Sequence, residues 1–166
     1  MLSTFIIEGP DNAGKTTLAA ALSKRLNMPV QHQIKPIDGK DFMLGYMAEQ
    51  HSQHTIYDRS MAISQLIYDK LLNRSKIIRG VELALFVDYT LSSIPVIICL
   101  PPPEVVCNVD PAREEMAGVV ERRDELYRLY SYFAKAQIGN DKVVVFDYTI
   151  HSIDNAVEWL HTQVAL

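Results

Sequence analysis

The 166-residue sequence has little of several features that define common protein classes. It has only two cysteines, Cys99 and Cys107, which excludes a disulfide scaffold and predicts free thiols in a reducing compartment. Positive charge is not in excess. The net charge of -4 gives no general attraction to nucleic acid or to a membrane. The five histidines show no metal-ligand spacing, and we expect them at the surface or at strand ends.

Long hydrophobic runs are absent as well. The longest, at residues 94–100, contains Pro95 and is far too short to span a bilayer. No basic segment followed by a long apolar stretch precedes the first predicted strand, so we expect no signal peptide. We therefore expect a cytoplasmic protein with no membrane partner.

What the sequence does contain is a regular alternation of short apolar runs and amphipathic stretches. The apolar runs predict strands at residues 4–8, 29–33, 53–57, 94–100 and 142–146. The amphipathic stretches predict helices at residues 15–26, 41–51, 60–73, 80–92, 119–137 and 154–163. This alternation predicts one α/β domain over residues 1–166, a three-layer α/β/α fold with a five-stranded parallel sheet. Ligands of such sheets bind at the carboxyl ends of the strands.

The segment GPDNAGKT at residues 9–16 follows the first predicted strand and opens the first predicted helix. It matches the phosphate-loop pattern G-x-x-x-x-G-K-[ST]. Glycines at both ends let the backbone approach phosphates, and successive N–H groups with the helix N-terminus form an anion site. The lysine reaches the β- and γ-phosphates and the threonine hydroxyl ligates Mg²⁺. The predicted ATP- and Mg²⁺-binding residues here are Gly9, Asp11, Asn12, Ala13, Gly14, Lys15, Thr16 and Thr17.

A phosphate loop is shared by kinases, GTPases and ATPase motors, so it does not define the reaction. The chain has no N-K-x-D run, the guanine-reading motif expected of a GTPase. After the loop, about 150 residues remain, too few for a second domain that would couple hydrolysis to movement. A kinase that transfers phosphate to a small acceptor fits these limits best.

The pair Asp58-Arg59 stands at the end of the third predicted strand. A carboxylate there can face the γ-phosphate, where it orients or deprotonates the acceptor or binds Mg²⁺ through water. The planar guanidinium of Arg59 can hold two phosphate oxygens. The alternative is that Asp58 only caps the following helix, a role that Ser60 can also fill.

Three segments resemble the thymidylate kinases. IIEGPDNAGKTT is similar to their opening strand and loop, YDRSMAISQLIYD to their Asp-Arg motif, and VIICLPPPEVV to the strand before their lid. The segment EMAGVVERRDELYRLYSYF resembles the region after the lid in small phage-type nucleoside and nucleotide kinases. The resemblance covers most of the chain. It implies a P-loop kinase fold with a lid at roughly residues 104–122.

The resemblance also implies roles for individual residues. Catalysis would fall to Lys15, Asp58, Arg59 and the lid arginines Arg113 and Arg122, with Arg123 as a further candidate, although the charged helix around Arg122 also predicts simple ion pairs. Mg²⁺ would be held by Thr16 and Asp58. Asp147 follows the last predicted strand, where such folds bracket the adenine.

Weaker candidates surround the acceptor. The full set of predicted acceptor-binding residues is Asp11, Lys35, Pro36, Phe42, Tyr46, Arg59, Gln65, Tyr68 and Arg74. The alternative is core packing for Phe42, Tyr46 and Tyr68, and a solvated helix end for Arg74. We expect a small nucleotide, a (deoxy)nucleoside monophosphate, as acceptor. The alternatives are a nucleoside, a hydroxyl of a modified base or end in polynucleotide, and a nucleotide-binding module without transfer activity. A homodimer stays among the expected assemblies.

Overall fold

A five-stranded, all-parallel sheet forms the centre of the protein. The computed structural model describes residues 4–32, 45, 54–73, 78, 80–108 and 118–163. The strands are β1 (Thr4–Glu8), β2 (Val30–His32), β3 (Thr55–Asp58), β4 (Val96–Cys99) and β5 (Val143–Phe146). Their spatial order is β2-β3-β1-β4-β5, which confirms the predicted five-stranded parallel sheet. The central position of β1 sets its carboxyl end between those of β3 and β4.

Helices cover the sheet. They are α1 (Lys15–Leu26), α2 (Met61–Leu72), α3 (Gly80–Ser93), α4 (Pro103–Val106), α5 (Arg123–Ala136) and α6 (Ile153–Thr162), and a 3₁₀ turn (Val120–Arg122) precedes α5. The sequence patterns do not predict the short α4. The helix predicted at residues 41–51 lies outside the described residues except for Gly45, which is helical. No helix in the described ranges is long and apolar enough to cross a membrane.

The side chains of β1 alternate between two hydrophobic cores. Phe5 and Ile7 pack in the core that α1 and α6 cover. Ile6 points to the opposite core, under α2, α3 and α5. All three side chains are fully buried, and burying each contributes about 1.5–3 kcal/mol. The two cores confirm the predicted three-layer α/β/α architecture.

Strand register brings the carboxyl ends of the strands to one edge of the sheet. Asp58 of β3 pairs with Ile7 of β1 on one side and with His32 of β2 on the other. Cys99 of β4 pairs with Phe146 of β5. The loops that follow β1 and β3 therefore begin side by side, at the edge where a ligand of a parallel sheet is expected.

Candidate active site

The loop between β1 and α1 has the backbone of an anion-binding loop. Gly9, Asn12 and Gly14 all have positive φ angles, of 146°, 64° and 81°. A Cβ on Gly9 would lie 2.3 Å from the carbonyl oxygen of Cys99, closer than any side chain tolerates. The loop can therefore run directly against the end of β4 only because glycine stands at position 9.

The N-terminus of α1 is left open. Gly14 is its N-cap residue, no side chain caps the first turn, and that turn contains no acidic residue. By contrast, α6 begins with a complete capping box between Ser152 and Asn155 and has Asp154 in its first turn. The first amides of α1 and its helix dipole thus remain available to an external anion, as the phosphate-loop motif requires.

Lys15 lies across this loop. Its Nζ donates a hydrogen bond to the carbonyl oxygen of Pro10 at 2.5 Å, and the residue is 7% exposed. Burial, together with the positive charge of Arg59, lowers the pKa of Lys15 to about 8, although Asp11, Glu8 and Asp58 act in the opposite direction. Burial has removed water from this ammonium, and the negative charge of a bound phosphate would stabilise its charged form.

This lowered pKa predicts a pH-dependent stability difference between the wild type and Lys15→Met. In the folded protein the charged lysine is disfavoured, so its cost to stability is fully present below pH 8. The cost is relieved as the pH rises from about 8 towards the unfolded value of about 10.5. We expect Lys15→Met to be stabilised relative to the wild type at pH 7, and the gap to narrow at pH 9.5. Urea unfolding at pH 7 and pH 9.5 measures the free energy of unfolding of both proteins. A difference between them that widens with pH would contradict this prediction.

The carboxylate of Asp58 contacts Thr16 of α1 and His32 of β2. Thr16 Oγ1 donates a hydrogen bond to Asp58 Oδ2 at 2.9 Å, and His32 Nδ1 lies 2.9 Å from the same oxygen. The Asp58 side chain is only 7% exposed, whereas that of His32 is 62% exposed. The structure thus brings together the two residues predicted to hold a metal ion. It adds His32, which the sequence placed only at a strand end.

Arg59 is held inward by several partners. Its Nη1 donates to Glu8 Oε1 at 3.4 Å and to the carbonyl oxygen of Gly9 at 3.2 Å. Its Nη2 forms an ion pair with Asp11. The ring of Tyr68 lies 5.2 Å from the guanidinium carbon, and the Tyr68 hydroxyl donates to the other Asp11 oxygen at 3.0 Å. The predicted acceptor residues Asp11, Arg59 and Tyr68 therefore form one connected cluster.

The backbone of Arg59 is also unusual. Its φ angle is 89°, a backbone conformation that residues other than glycine rarely adopt. Its backbone N–H donates to the carbonyl oxygen of Ile7 at 2.9 Å, which continues the β1–β3 ladder beyond the end of the strand. Strained backbone of this kind persists where the surroundings fix it, and it is concentrated at functional sites.

Glu8 is a completely buried carboxylate that joins the loops after β1 and β3. One oxygen accepts hydrogen bonds from the backbone N–H of Gly9 at 3.1 Å and from the Tyr130 hydroxyl at 2.9 Å. The other accepts from the backbone N–H of Ser60 at 2.8 Å and from the Ser64 hydroxyl at 3.2 Å. Both of its oxygens are therefore satisfied, and the carboxylate pins the two loops together.

Lys15, Asp58 and Arg59 line one cavity of about 590 Å³. Its lining comes from the phosphate loop and α1, from the ends of β2 and β3, and from the segment between the end of β5 and the start of α6. The full lining consists of Asp11, Asn12, Gly14, Lys15, Thr16, Thr17, Leu18, His32, Asp58, Arg59, Phe146, Tyr148 and Ile153. The volume and the mixture of charged and apolar walls suit a nucleotide-sized ligand.

Other predicted residues lie elsewhere or have structural partners. Gln65 donates from Nε2 to the carbonyl oxygen of Ile78 at 3.3 Å. Arg122 makes two hydrogen bonds with Glu125, at 2.8 and 2.7 Å, and one with the carbonyl oxygen of Leu71, the ion-pair alternative that its sequence context predicts.

Two predicted nucleotide-binding residues also bond within the protein. Asp147 closes its own turn by accepting from the N–H and hydroxyl of Thr149, at 2.8 and 2.7 Å. Asn12 donates to the carbonyl oxygen of Val106 at 3.2 Å. Ala13 is fully buried in the loop. The following predicted site residues lie outside the described part of the chain: Lys35, Pro36, Phe42, Tyr46, Arg74 and Arg113.

The fold closely matches several solved structures. The YorR protein of Bacillus subtilis, solved in complex with phosphorylated GDP, matches with a TM-score of 0.72 at 22% identity, covering 99% of this chain and 96% of that chain. Thymidylate kinase from Candida albicans matches at 0.57 and 14%, covering 98% and 91%. Deoxyadenosine kinase from M. mycoides with bound dATP matches at 0.54 and 17%, covering 98% and 100%.

No protein-family model matches the chain, and no curated protein matches it by sequence. At identities of 22% or less, the structural likenesses show the fold alone. That fold is the P-loop kinase fold, so both the predicted fold and the predicted resemblance to this group are confirmed.

Proposed function

We propose that this chain is an ATP-dependent phosphotransferase that phosphorylates a (deoxy)nucleoside monophosphate, as the thymidylate kinases do. One observation carries the proposal: Lys15, Asp58 and Arg59 line the same nucleotide-sized cavity at the open N-terminus of α1. A phosphate loop alone fits any nucleoside triphosphatase. Asp58, at the end of the neighbouring strand β3, and Arg59, directly after it, supply what transfer to a second substrate needs.

Thr16 and Asp58 suit Mg²⁺, because it prefers oxygen ligands and is usually bound by one or two protein side chains together with substrate phosphates. The two oxygens already lie 2.9 Å apart. Bound there, the ion would supply neutralisation of phosphate charge. Among the described residues no cluster of three or more His, Cys, Asp or Glu side chains offers a separate metal site.

The chain's own residues have distinct tasks in this proposal. The uncapped backbone N–H groups at the start of α1 and the ammonium of Lys15 bind the phosphates of ATP. Asp58 orients the acceptor, and Arg59 holds oxygens of the transferred or acceptor phosphate with its planar fork. Phosphoryl transfer requires little covalent chemistry from the protein, so positioning and charge neutralisation supply most of the rate enhancement.

The apolar wall of the cavity supports a place for the donor base. Phe146 ends β5, Tyr148 lies in the loop after it and is half-exposed, and Ile153 begins α6. Tyr148 also packs against the phosphate loop, since a Cβ on Gly14 would lie 3.0 Å from its ring. An aromatic ring at this position can cover a purine face while the phosphates lie on the loop.

A nucleoside is the second candidate acceptor, and the surroundings of Arg59 favour it. Its guanidinium already contacts two carboxylates, Glu8 and Asp11. In the part of the cavity lined by described residues, two cations stand against the carboxylates of Asp11 and Asp58. This balance leaves little free positive charge for an acceptor phosphate once a triphosphate is bound, whereas an uncharged hydroxyl needs none. It also differs from the basic groove expected of a polynucleotide kinase.

An acceptor screen with ATP and Mg²⁺ tests these alternatives. The panel contains deoxynucleosides, deoxynucleoside monophosphates and short DNA, and the Lys15→Ala protein, purified identically, controls for contaminating kinases. We expect monophosphates to be phosphorylated at least tenfold faster than the other classes. Turnover confined to nucleosides would establish the second candidate, and turnover confined to DNA would establish the polynucleotide alternative. ATP binding with no transfer to any of them would leave a nucleotide-binding module.

A homodimer and a cytoplasmic location belong to the same proposal. Val81, Leu85 and Tyr89 recur every four residues along α3 and are 75%, 62% and 53% exposed, which forms an apolar stripe of the kind that a second copy covers. Sedimentation of the full chain and of Leu85→Glu measures the oligomeric state of each. Both cysteines are free in the structure, which fits a reducing compartment.

A further inference from the structure

Tyr130, on α5, contacts active-site residues that are far from it in the sequence. It is completely buried in the core beneath α2, α3 and α5. Its hydroxyl lies 2.9 Å from Glu8 Oε1 and 3.3 Å from Arg59 Nη1. These partners are 122 and 71 residues away along the chain. A buried tyrosine hydroxyl usually finds one partner. This one bridges two charged groups beside the phosphate loop.

The donors and acceptors in this bridge fit only one direction. Arg59 has N–H donors only, so it donates to the oxygen of Tyr130. The single proton of Tyr130 must then go to Glu8, which accepts it as a carboxylate. Burial, followed by the charge of Glu8, raises the pKa of Tyr130 well above its ordinary value, so the phenol keeps this proton at every working pH. The result is a fixed chain of hydrogen bonds from Arg59 through Tyr130 to Glu8.

Two tyrosines together enclose the guanidinium of Arg59. Tyr68 covers its face at 5.2 Å, and Tyr130 meets Nη1 at its edge. The two rings contact each other in a T-shaped arrangement, with centroids 6.5 Å apart. Although burial opposes its charge, the carboxylates of Glu8 and Asp11 raise the pKa of Arg59, so it remains a cation.

The geometry points to Tyr130 as a positioning residue for phosphoryl transfer, which with Glu8 fixes the guanidinium of Arg59 against the phosphate loop. This inference rests on the proposed kinase function, in which Arg59 holds phosphate oxygens. An arginine that is already oriented loses less side-chain freedom when the substrate arrives. A displacement of about 1 Å at a reacting group can cost on the order of 100-fold in rate, so a single hydroxyl that restrains Arg59 matters.

The test removes that hydroxyl with Tyr130→Phe, which keeps the ring. We expect kcat with the acceptor that the screen identifies to fall roughly tenfold, because one of the contacts that orient Arg59 is lost. The KM for ATP should stay within about twofold, since the phosphate loop is unchanged. Tyr132→Phe is the matched control: it lies two residues along the same helix, is 69% exposed, and should leave both constants unchanged.

A double-mutant cycle separates positioning from general packing. In an Arg59→Lys background, Tyr130→Phe should change kcat by less than about twofold, because the fork it orients is gone. An equal tenfold loss in both backgrounds would overturn the inference, as would wild-type kcat in Tyr130→Phe itself. If Tyr130→Phe does not fold, Glu8→Gln takes its place in the same cycle, with the same outcomes.

A spectroscopic measurement keeps this inference separate from the proposed function. The side-chain N–H resonances of Arg59, assigned by their loss in Arg59→Lys, should shift in Tyr130→Phe and not in Tyr132→Phe. If the wild type transfers phosphate to no acceptor, the proposed function fails while a shifted resonance still shows that Tyr130 fixes Arg59. An unshifted resonance overturns the positioning role whatever the activity.

Discussion

Lys15→Ala is expected to reduce phosphoryl transfer by at least about 1000-fold while leaving the protein folded. The ammonium is the buried cation that lies over the phosphate loop, 2.5 Å from the carbonyl oxygen of Pro10. Loss of one preorganised donor to a developing charge costs about 100- to 1000-fold, and a lysine also contributes a full positive charge to binding. Steady-state kinetics at saturating acceptor, with ATP varied, measures the loss.

We expect Lys15→Ala to lose activity without losing stability. Lowering the pKa of Lys15 from 10.5 to about 8 means that its charge costs the folded state about 3 kcal/mol at neutral pH. Truncation removes that cost and leaves a small cavity, which offsets part of the gain. We therefore expect the midpoint of urea unfolding to change little or to rise. Activity would then be lost without any loss of fold, as expected for a residue whose burial serves binding.

The matched control is Lys24→Ala. Lys24 is on the same helix, about two turns beyond the loop, and its side chain is exposed. We expect its kinetics to equal those of the wild type. Lys15→Ala protein that retained more than about a tenth of the wild-type rate would refute the proposed use of the phosphate loop, and no other variant would be needed to reject the mechanism.

Hydrophobic alternation made most of the fold predictable. The observed bounds of β1 and α1 equal the predicted ones, because a buried strand, a glycine-rich loop and a helix stripe follow each other without ambiguity. The strand predicted at residues 94–100 is shorter, Val96–Cys99, since Pro95 lacks an N–H for the ladder. The short helix α4 was missed. Its prolines indicate a stiff extended run, yet Pro103 stands at the first helical position, where proline is favourable.

The start of α5 illustrates a second limit of the sequence patterns. The predicted helix began at residue 119, but the chain forms a 3₁₀ turn at Val120–Arg122 and the α-helix begins at Arg123. Gly118 has a φ angle of 82°, which helical backbone cannot adopt. The amphipathic pattern predicted the body of the helix correctly. The later start lies at Arg122, whose φ of -121° and ψ of 23° are not helical and separate the 3₁₀ turn from α5.

Local motifs made half of the active site predictable. Thr16 and Asp58 belong to short patterns with known chemistry, and the structure places them in contact. Glu8 and Tyr130 belong to no such pattern. Glu8 ends an apolar strand and Tyr130 lies in the apolar stripe of an amphipathic helix, so the sequence predicts only core positions for them. Their contact spans 122 residues and depends on how α5 crosses the sheet. His32 was detectable in principle, because it ends a strand next to β3.

Gly9→Ala is expected to be the most destabilising single-methyl change in the loop. The new Cβ would lie 2.3 Å from the carbonyl oxygen of Cys99, and backbone on both sides prevents an easy shift. The φ angle of 146° adds strain for any side chain. Overpacking and backbone strain each cost about 1–3 kcal/mol, so the free energy of unfolding should fall by roughly 3 kcal/mol or more. That corresponds to a decrease in melting temperature of about 10 °C in a chain of this size.

Gly139→Ala supplies the control for strain alone. Its φ angle is 91°, and a Cβ there would meet nothing within 4 Å. We expect it to cost about 1 kcal/mol and to leave ATP binding unchanged, because the turn after α5 does not line the cavity. In Gly9→Ala, by contrast, the loop must move away from β4, so nucleotide affinity should fall by more than tenfold even in the folded fraction. Urea unfolding measures the stability of both variants, and calorimetric titration measures their affinity for ATP. If the two substitutions destabilise the protein equally, the close approach to Cys99 is not what requires glycine at position 9.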